Sequence, residues 1–316
     1  MGHLALRFFG TFQVTLEGIP LSNFRSSKVQ GLLVYLLMTP HQVHARDTLA
    51  TMFWEDETDT IAKKNLRQSL YQLRKILKDD SSDNPYLLVT RSSVQFNADS
   101  NYSLDVNDFL FYLENEQRES AVTLYRDELL AGFTCDSLLF DAWLRQERER
   151  LHRLALDALF ALTINSLEQG DYRKAQSLAR RQLTLEPWRE EAHQQLIRAL
   201  ALRGERSAAL AQYETCRVVL AEELSVEPSE ATISLMTRIR NQVVLETNLN
   251  KRKNYPKTEF VGRDVEYAML MKIYRQVSRD GLQIVILSGK AGTGKTRLTN
   301  QFLDWVALDG ADVLKG

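Results

Sequence analysis

The first hundred residues combine short apolar runs with apolar positions at helical spacing. Residues 4–16, LALRFFGTFQVTL, are rich in β-branched, aromatic and aliphatic side chains, and a glycine and a proline end the run. This pattern predicts a short N-terminal hairpin or sheet. Apolar positions from Val29 to Leu37 then predict a first helix, which Ser26 or Ser27 caps and Pro40 ends.

Two further helices follow at the spacing of a helix-turn-helix. The pattern predicts a second helix at Asp47–Trp54, and the acidic stretch Glu55–Asp59 separates it from a third at Ile61–Lys78. The third helix places leucines on one stripe and carries six basic residues and no acidic one. We therefore expect it to expose a strongly positive face.

The next segment completes a winged helix-turn-helix. After an Asp- and Asn-containing turn at residues 79–84, the stretch YLLVTRSSVQFN predicts two short strands joined around Arg91, Ser92 and Ser93. A hairpin that follows the third helix is a wing. Residues 1–100 therefore predict a winged helix-turn-helix domain with a leading sheet.

The sequence from residue 101 to residue 242 is almost entirely helical in pattern and contains an internal repeat. The stretches LEQGDYRKAQSLA and LALRGERSAALAQYE match at Gly170 and Gly204 and at Ala175 and Ala209, each pair 34 residues apart. Thirty-four residues is the tetratricopeptide period, in which a small Ala lets paired helices approach closely. These residues predict a tetratricopeptide-like helical domain.

The pattern changes again toward the C-terminus. Residues 243–259 lose periodicity and become polar and charged, which predicts a linker. In residues 260–316, QIVIL at Gln283–Leu287 predicts a buried strand, and GKAGTGKT at Gly289–Thr296 opens a helix. The expected fold class is therefore mainly α with a small β component: a winged helix-turn-helix, a tetratricopeptide-like domain and a partial P-loop α/β segment.

Composition adds mainly exclusions. The net charge of -1 and pI near 6.6 give no overall attraction to nucleic acid, so a DNA site must come from a local basic surface. Cys135 and Cys216 lack disulfide or zinc spacing and predict buried free thiols, and the five histidines show no ligand spacing. No bilayer-spanning run or signal peptide is seen, which predicts a cytoplasmic protein without a membrane partner.

The third helix is the strongest candidate for reading DNA. Asn, Gln and Arg can make bidentate contacts with base edges, and Lys and Tyr can hold phosphates. An isolated run of basic residues would be explained by an ordinary solvated helix face. The third helix, however, lies between a helix pair and a wing, and this position favours DNA binding over a solvated face. The candidate residues are Lys63, Lys64, Asn65, Arg67, Gln68, Tyr71, Arg74 and Lys75.

Position along the helix separates these candidates into two groups. N-terminal residues of a recognition helix usually approach base edges most closely, which applies to Lys63, Lys64, Arg67 and Gln68. Arg74 and Lys75 are expected at phosphates. Further contacts, for which plain surface is an equal alternative, are predicted with the DNA backbone at Ser27 and Lys28 in the first helix. Arg91 at the wing tip is predicted to reach the backbone or the minor groove.

The glycine-rich loop is a complete Walker A sequence. Its backbone N–H groups can surround phosphates, Lys295 can neutralise their charge, and the Thr296 hydroxyl can ligate magnesium once nucleotide is bound. The nucleotide-binding candidates are Gly289, Gly292, Thr293, Gly294, Lys295 and Thr296. Because only 20 residues follow Thr296, we expect no hydrolysis by this chain and no cofactor that it requires.

The order of these parts resembles the SARP family, the Streptomyces antibiotic regulatory proteins, and their larger AfsR-like relatives. The stretches FGTFQV, KKNLRQSLYQLRKIL, LLAGF, DAWLRQERERL and EPWREEAH resemble that family's OmpR-type DNA-binding domain and bacterial transcriptional activation domain over residues 4–240. The resemblance implies a transcriptional regulator, usually an activator, that binds direct repeats in promoter DNA and engages RNA polymerase with the help of its activation domain. Two copies bound side by side would constitute self-association on DNA. The resemblance supports a DNA-facing set of Lys64, Asn65, Arg67, Gln68 and Arg74.

The tail resembles the start of a signal-transduction ATPase of the STAND type. FVGRDVEYAML precedes GKAGTGKT, and Phe260–Arg263 resembles the adenine-side entry of such modules. The resemblance implies a fragment of a longer regulator in which ATP and magnesium control DNA binding or oligomerisation. Nucleotide-insensitive promoter binding by the longer protein would count against that control.

Two other functions stay open at this point. An interaction scaffold would use the helical repeats, with the winged helix as a protein-binding module, and would show no sequence-selective DNA binding. A signalling NTPase regulator would need catalytic groups beyond the Walker A loop.

Overall fold

The computed structural model describes residues 2–79, 84–249, 263–280, 282–290 and 292–314. The chain forms two compact units, Met1–Ala158 and Leu159–Gly316, and the division between them falls within one long helix. Helices predominate, and the strands of the described residues all lie in the first unit. The fold class is therefore mainly α with a small β component, as predicted.

The first unit combines two small sheets with a set of helices. In chain order its elements are β1 (Leu4–Arg7), β2 (Gln13–Leu16), β3 (Ile19–Pro20), α1 (Ser27–Met38), β4 (His44–Ala45), α2 (Arg46–Phe53), α3 (Asp59–Ile76), β5 (Leu87–Val89), β6 (Ser93–Phe96), β7 (Tyr102–Leu104), α4 (Asp105–Glu114), α5 (Arg118–Leu124) and α6 (Leu138–Glu168), whose last turns belong to the second unit.

The predicted leading sheet is present and has four strands in the order β3-β2-β1-β7. β1 pairs with β2 in an antiparallel hairpin and with β7 in parallel. Gly18 turns the chain from β2 into β3 with a φ of 77°, a conformation that side chains with a Cβ rarely adopt. Alternate residues such as Leu4 and Leu6 are buried, as the period of a half-buried strand requires.

The three helices of the winged helix-turn-helix form close to their predicted positions. Ser26 caps α1, since its hydroxyl oxygen accepts the N–H of Val29. α3 differs from the prediction at both ends, because it begins at Asp59 and ends at Ile76. Asp59 thus adds a carboxylate to the first turn, where the helix dipole favours negative charge, and Lys78 lies outside the helix.

The predicted wing is the hairpin of β5 and β6, to which β4 adds a third strand in the order β4-β6-β5. The turn predicted before it falls mostly on residues 80–83, which lie outside the described residues. Asp79 is described and buried, and its carboxylate accepts the N–H groups of Tyr86 (2.6 Å) and Leu87 (2.9 Å). These two bonds fix where the chain enters β5.

The first unit extends well past residue 100, the predicted end of the DNA-binding domain. Asp105 at the start of α4 accepts the backbone N–H groups of Phe8 (2.8 Å) and Phe9 (3.1 Å). The segment before α6 also joins the sheet region, since the Leu130 N–H donates to the Phe8 carbonyl (2.7 Å). Because these bonds tie the later segments to β1, the compact unit ends at Ala158 and not at residue 100.

The second unit begins with the end of α6 and continues with further helices. These are α7 (Tyr172–Leu185), α8 (Glu190–Leu202), α9 (Arg206–Leu224), α10 (Glu230–Leu249), α11 (Asp264–Asp280) and α12 (Lys295–Asp309). Gly170 and Gly204 follow the ends of α6 and α8 with φ values of 78° and 82°, and Ala175 and Ala209 are completely buried. The 34-residue repeat thus places equivalent residues at equivalent points of successive helix pairs.

Two predictions near the C-terminus need correction. α10 continues to Leu249, into the predicted linker 243–259, and the rest of that linker lies outside the described residues. The strand predicted at Gln283–Leu287 is not formed, and Ile284 and Ile286 are 80% and 85% exposed. A strand of this apolar type is buried between parallel neighbours, and the part of the chain described after β7 contains no strand with which it could pair.

Candidate nucleic-acid interface

Helix α3 has one buried and one exposed face. Leu66, Leu70 and Leu73 are almost completely buried and anchor the helix to the core of the first unit. Successive residues of an α-helix are rotated by about 100°, so the side opposite these leucines forms a continuous solvent-facing stripe. The buried leucines therefore determine which polar side chains are available to a partner.

Five predicted DNA-binding residues occupy the centre of this exposed stripe, within an arc of about 100°. They are Lys64, Arg67, Gln68, Tyr71 and Lys75, and each is exposed. Tyr71 is 63% exposed although it is aromatic. A stripe of three cations, an amide and a phenol contains both base-reading and phosphate-binding groups. We call these five residues the α3 stripe.

The remaining candidates on α3 lie on its flanks. Lys63 is exposed, and its Nζ forms an ion pair with Asp47 of α2 at 3.1 Å. Asn65 and Arg74 are half-buried. The structure thus separates the eight predicted residues of α3 into a central stripe and three flanking positions, a distinction that the count of basic residues alone did not provide.

The wing tip is connected to the start of α2. The Thr90 hydroxyl oxygen accepts the N–H groups of Ser92 (3.2 Å) and Ser93 (2.9 Å), which forms a tight turn. Arg46 donates from Nη1 to the Thr90 carbonyl (3.0 Å), and its backbone N–H donates to the Ser92 carbonyl (2.9 Å). Arg91 is exposed within this turn. Sequence reasoning missed Arg46, because a single arginine at the first position of a helix carries no periodic signal.

Ser27 and Lys28 at the start of α1 are half-buried. Burial, together with the nearby Asp141 carboxylate, raises the pKa of the Cys135 thiol to about 12, and the Lys28 ammonium opposes this rise. Cys216 is likewise a buried free thiol, with its pKa raised to about 12 by burial. Both cysteines are as predicted, and DNA contact by Ser27 and Lys28 stays a prediction.

The glycine-rich loop leads directly into α12. The Lys295 ammonium donates to the carbonyl oxygens of Gly289 and Lys290, both at 2.8 Å, and closes the loop. Gly292 and Gly294 have φ values of 83° and 81°, which favour glycine. A helix N-terminus, an ammonium and a hydroxyl at Thr296 are the donors and ligand that a nucleotide phosphate with magnesium needs, so the residues fit that group.

The segment before the loop contributes one further contact. Arg263 donates from Nη2 to the Thr293 carbonyl at 2.9 Å, which links the last residue of the FVGR motif to the Walker A loop. Phe260, Val261 and Gly262 lie outside the described residues. In the described ranges no cluster of His, Cys, Asp or Glu suits a metal ion. No helix within those same ranges is long and apolar enough to cross a membrane.

Three family models match successive parts of the chain. Residues 25–93 match the model described as transcriptional regulatory protein, C terminal, and residues 114–240 match the bacterial transcriptional activator domain. Residues 259–313 match the AAA ATPase domain. The first match contains α3 and the wing, and the third contains the glycine-rich loop.

Curated relatives match the greater part of the chain. The chain is 24% identical over 267 residues to the transcriptional regulatory protein MoaR1 of Mycobacterium tuberculosis, covering 78% of this chain and 82% of that protein. It is 26% identical over 302 residues to the regulatory protein AfsR of Streptomyces griseus, covering 89% of this chain and 30% of AfsR.

A solved structure supports the fold. Mycobacterium tuberculosis EmbR, in a complex with a low-affinity phosphopeptide, superposes with a TM-score of 0.60 at 18% identity, over 90% of this chain and 74% of EmbR.

Proposed function

Because the chain belongs to the SARP and AfsR-like family of transcriptional regulators, we propose that it binds direct repeats in promoter DNA through α3 and contacts RNA polymerase through its activation domain. MoaR1 is named as a transcriptional regulatory protein and AfsR as a regulatory protein, and neither is named as an enzyme. The proposed setting is the cytoplasm, where promoter DNA and polymerase meet.

The α3 stripe is the observation that carries this proposal. It presents three cations together with Gln68 and Tyr71 on one exposed helix face, while the leucines of the opposite face hold the helix rigidly in place. A rigid helix whose exposed face mixes guanidinium and amide groups can discriminate bases and does not merely attract phosphates. The exposed wing residue Arg91 provides a further cation for the DNA backbone or minor groove.

The test is binding of a fluorescent duplex by the chain over a series of salt concentrations. The logarithm of affinity is expected to fall with the logarithm of salt by about 0.9 for each phosphate contact. A variant with Lys64, Arg67 and Lys75 changed to alanine is expected to lose most affinity. The matched control changes three exposed basic residues of the second unit, Arg173, Lys174 and Arg180. Equal affinity of the two variants would contradict the proposal.

Polymerase contact has its own test. Bacterial RNA polymerase and the chain are footprinted together on a promoter that contains a DNA sequence bound by the chain. The proposal requires that the chain increase polymerase occupancy and that the α3 triple variant fail to do so. Occupancy that is unchanged by the chain would remove the polymerase part of the proposal and leave DNA binding untouched.

Nucleotide binding is proposed for the glycine-rich loop. Bound ATP would supply phosphates that the N-terminus of α12 and Lys295 hold, and Thr296 would orient a magnesium ion on them. In a longer regulator this occupancy would control DNA binding or oligomerisation.

A further inference from the structure

We propose that Glu55 and Ser137 are positioning residues that fix the turn of the helix-turn-helix against the start of α6 and thereby set how α3 meets DNA. Glu55 lies in the turn between α2 and α3, and Ser137 immediately precedes α6. The proposal rests on the proposed function, since the placement of α3 has this meaning only where α3 reads DNA. We call the contact between these two segments the turn clasp.

Glu55 supplies one half of the turn clasp. Its Oε1 accepts the backbone N–H of Leu138 at 2.6 Å, and its Oε2 accepts that of Leu139 at 3.3 Å. The first N–H groups of a helix have no partner within the helix, so a carboxylate there satisfies two donors and also interacts favourably with the helix dipole. The first turn of α6 is thus capped by a side chain from a segment more than 80 residues earlier.

Ser137 supplies the other half. Its hydroxyl donates to the Met52 carbonyl in the last turn of α2 at 2.5 Å and accepts the N–H of Phe140 at 3.2 Å. Ser137 is 2% exposed; its bond with Phe140 is buried, and its bond with Met52 is partly buried. The clasp is therefore reciprocal. Glu55 of the turn caps the start of α6, and Ser137, the residue before α6, donates a hydrogen bond to a carbonyl in the last turn of α2.

Apolar packing holds the same two segments together. The rings of Phe53 in α2 and Phe140 in α6 lie 5.2 Å apart between centroids, and both are completely buried. A Cβ built on Gly31 of α1 would lie 3.1 Å from Cys135 Sγ and 3.1 Å from the Phe53 ring, so there is no spare space. The segment at the start of α6 is consequently part of the packed core beneath the helix-turn-helix.

The clasp lies close to the beginning of the reading helix. Only three residues separate Glu55 from Asp59, the first residue of α3, and the N-cap residue Thr58 makes no side-chain capping bond. The start of α3 therefore depends on the preceding turn for its placement. Since the residues expected nearest the bases lie in the first half of α3, a small change in the turn alters base contacts more than phosphate contacts.

The test compares specific with non-specific affinity in the full chain. Two duplexes of equal length are used: the motif that the unmodified chain enriches from a random pool, and a scrambled sequence. The variants are Glu55→Gln and Ser137→Ala, and the control Glu57→Gln removes the same charge from the same turn at an exposed position. Amide hydrogen exchange is measured on each variant at Leu138, Leu139 and the first turn of α3.

The ratio of specific to non-specific affinity is expected to fall about tenfold in Glu55→Gln and in Ser137→Ala, the loss expected for one base-edge contact. Exchange at the clasp is expected to rise, and Glu57→Gln is expected to leave both readouts unchanged. An unfolded fraction lowers both affinities by the same factor, so a merely structural role would not move the ratio. An unchanged ratio in both variants would overturn the proposal.

Failure of the proposed function is distinguishable from failure of the clasp. If the unmodified chain enriches no motif, the proposed function fails. Affinity for the scrambled duplex and amide hydrogen exchange then still test whether Glu55 and Ser137 position α3. In that case, unchanged exchange at the first turn of α3 in both variants would refute the positioning role of Glu55 and Ser137.

Discussion

Neighbouring side chains on α3 differ in how freely they can meet a partner. Lys63 and Lys64 are adjacent and both exposed, yet Lys63 forms an ion pair with Asp47 and lies at the edge of the α3 stripe, whereas Lys64 lies at its centre. An exposed ion pair is worth little to stability, but it orients Lys63 toward α2. Position around the helix therefore separates two residues that are chemically identical.

This difference gives a prediction for Lys64→Ala and Lys63→Ala. The slope of log affinity against log salt concentration is expected to become shallower by about 0.9 in Lys64→Ala, the value of one phosphate contact. In Lys63→Ala the slope is expected to change clearly less. Duplex binding measured by fluorescence anisotropy at several salt concentrations checks this. Equal slopes for the two variants would show that the ion pair does not direct Lys63.

Gly31 provides a prediction about packing. Alanine is normally favoured over glycine inside a helix by about 0.5–1 kcal/mol. At this position the added Cβ would meet Cys135 Sγ and the Phe53 ring at 3.1 Å, and both neighbours are completely buried. Gly31→Ala is therefore expected to lower the free energy of unfolding by about 1–2 kcal/mol.

Chemical denaturation measures that change, and Cys135→Ala in the same chain is the control. Removal of the sulfur should relieve part of the crowding. The double variant is therefore expected to lose less free energy of unfolding than the two single variants lose in sum. Strict additivity would mean that Gly31 and Cys135 do not share this space.

At the scale of elements, local signals and long-range contacts explain different parts of the fold. The start of α1 follows from Ser26 as a cap and from leucines at helical spacing, so the sequence was sufficient to predict it. The apolar run at Gln283–Leu287 carries an equally strong signal, but a strand needs partners, and the described residues provide none there.

The same distinction applies to the candidate site. Residue types and helical spacing were sufficient to predict the polar residues of α3 as candidates, but not to separate the α3 stripe from the three flanking residues. Arg46 at the wing and Glu55 in the turn clasp act on backbone groups about 40 and 80 residues away, and no short-range pattern marks such contacts. Single polar residues in a turn or at the start of a helix were therefore the contacts that the sequence did not reveal.

The helical repeats give a prediction about pH. His193 in α8 is 2% exposed; its Nε2 donates to the Pro187 carbonyl (2.8 Å), and its Nδ1 accepts from Gln212 (2.8 Å). Burial lowers the pKa of this imidazole below 6.5, so folding favours the neutral ring. The stability it contributes is complete above pH 6.5 and is lost as the pH falls through the depressed folded-state pKa.

His193→Gln tests this, because a glutamine amide can still donate to the Pro187 carbonyl but does not titrate. Urea unfolding of both proteins at pH 7.5 and at pH 5.5 is the measurement. The unmodified chain is expected to lose more stability between the two pH values than His193→Gln does. His44, also buried with a lowered pKa, remains in both proteins and contributes equally. The same loss in both proteins would contradict the assignment to His193.

At the scale of the whole molecule, the chain combines a winged helix-turn-helix with helical repeats and a glycine-rich loop. Magnesium-ATP is expected to bind the loop, and Lys295→Ala is expected to abolish that binding, because its ammonium is the cation at the start of α12. Isothermal titration checks both statements. DNA affinity without nucleotide should be equal in the two proteins, and ATP binding that survives Lys295→Ala would place the nucleotide elsewhere.

Selection of DNA from a random pool by the purified chain, repeated with Arg67→Ala at the same salt concentration, tests the central claim most directly. The account predicts a repeated motif whose half-sites lie about 10 to 11 base pairs apart, one turn of the duplex, and relaxed selection at one position of each half-site in the variant. A pool that remains random after selection by the unmodified chain would contradict DNA reading by α3.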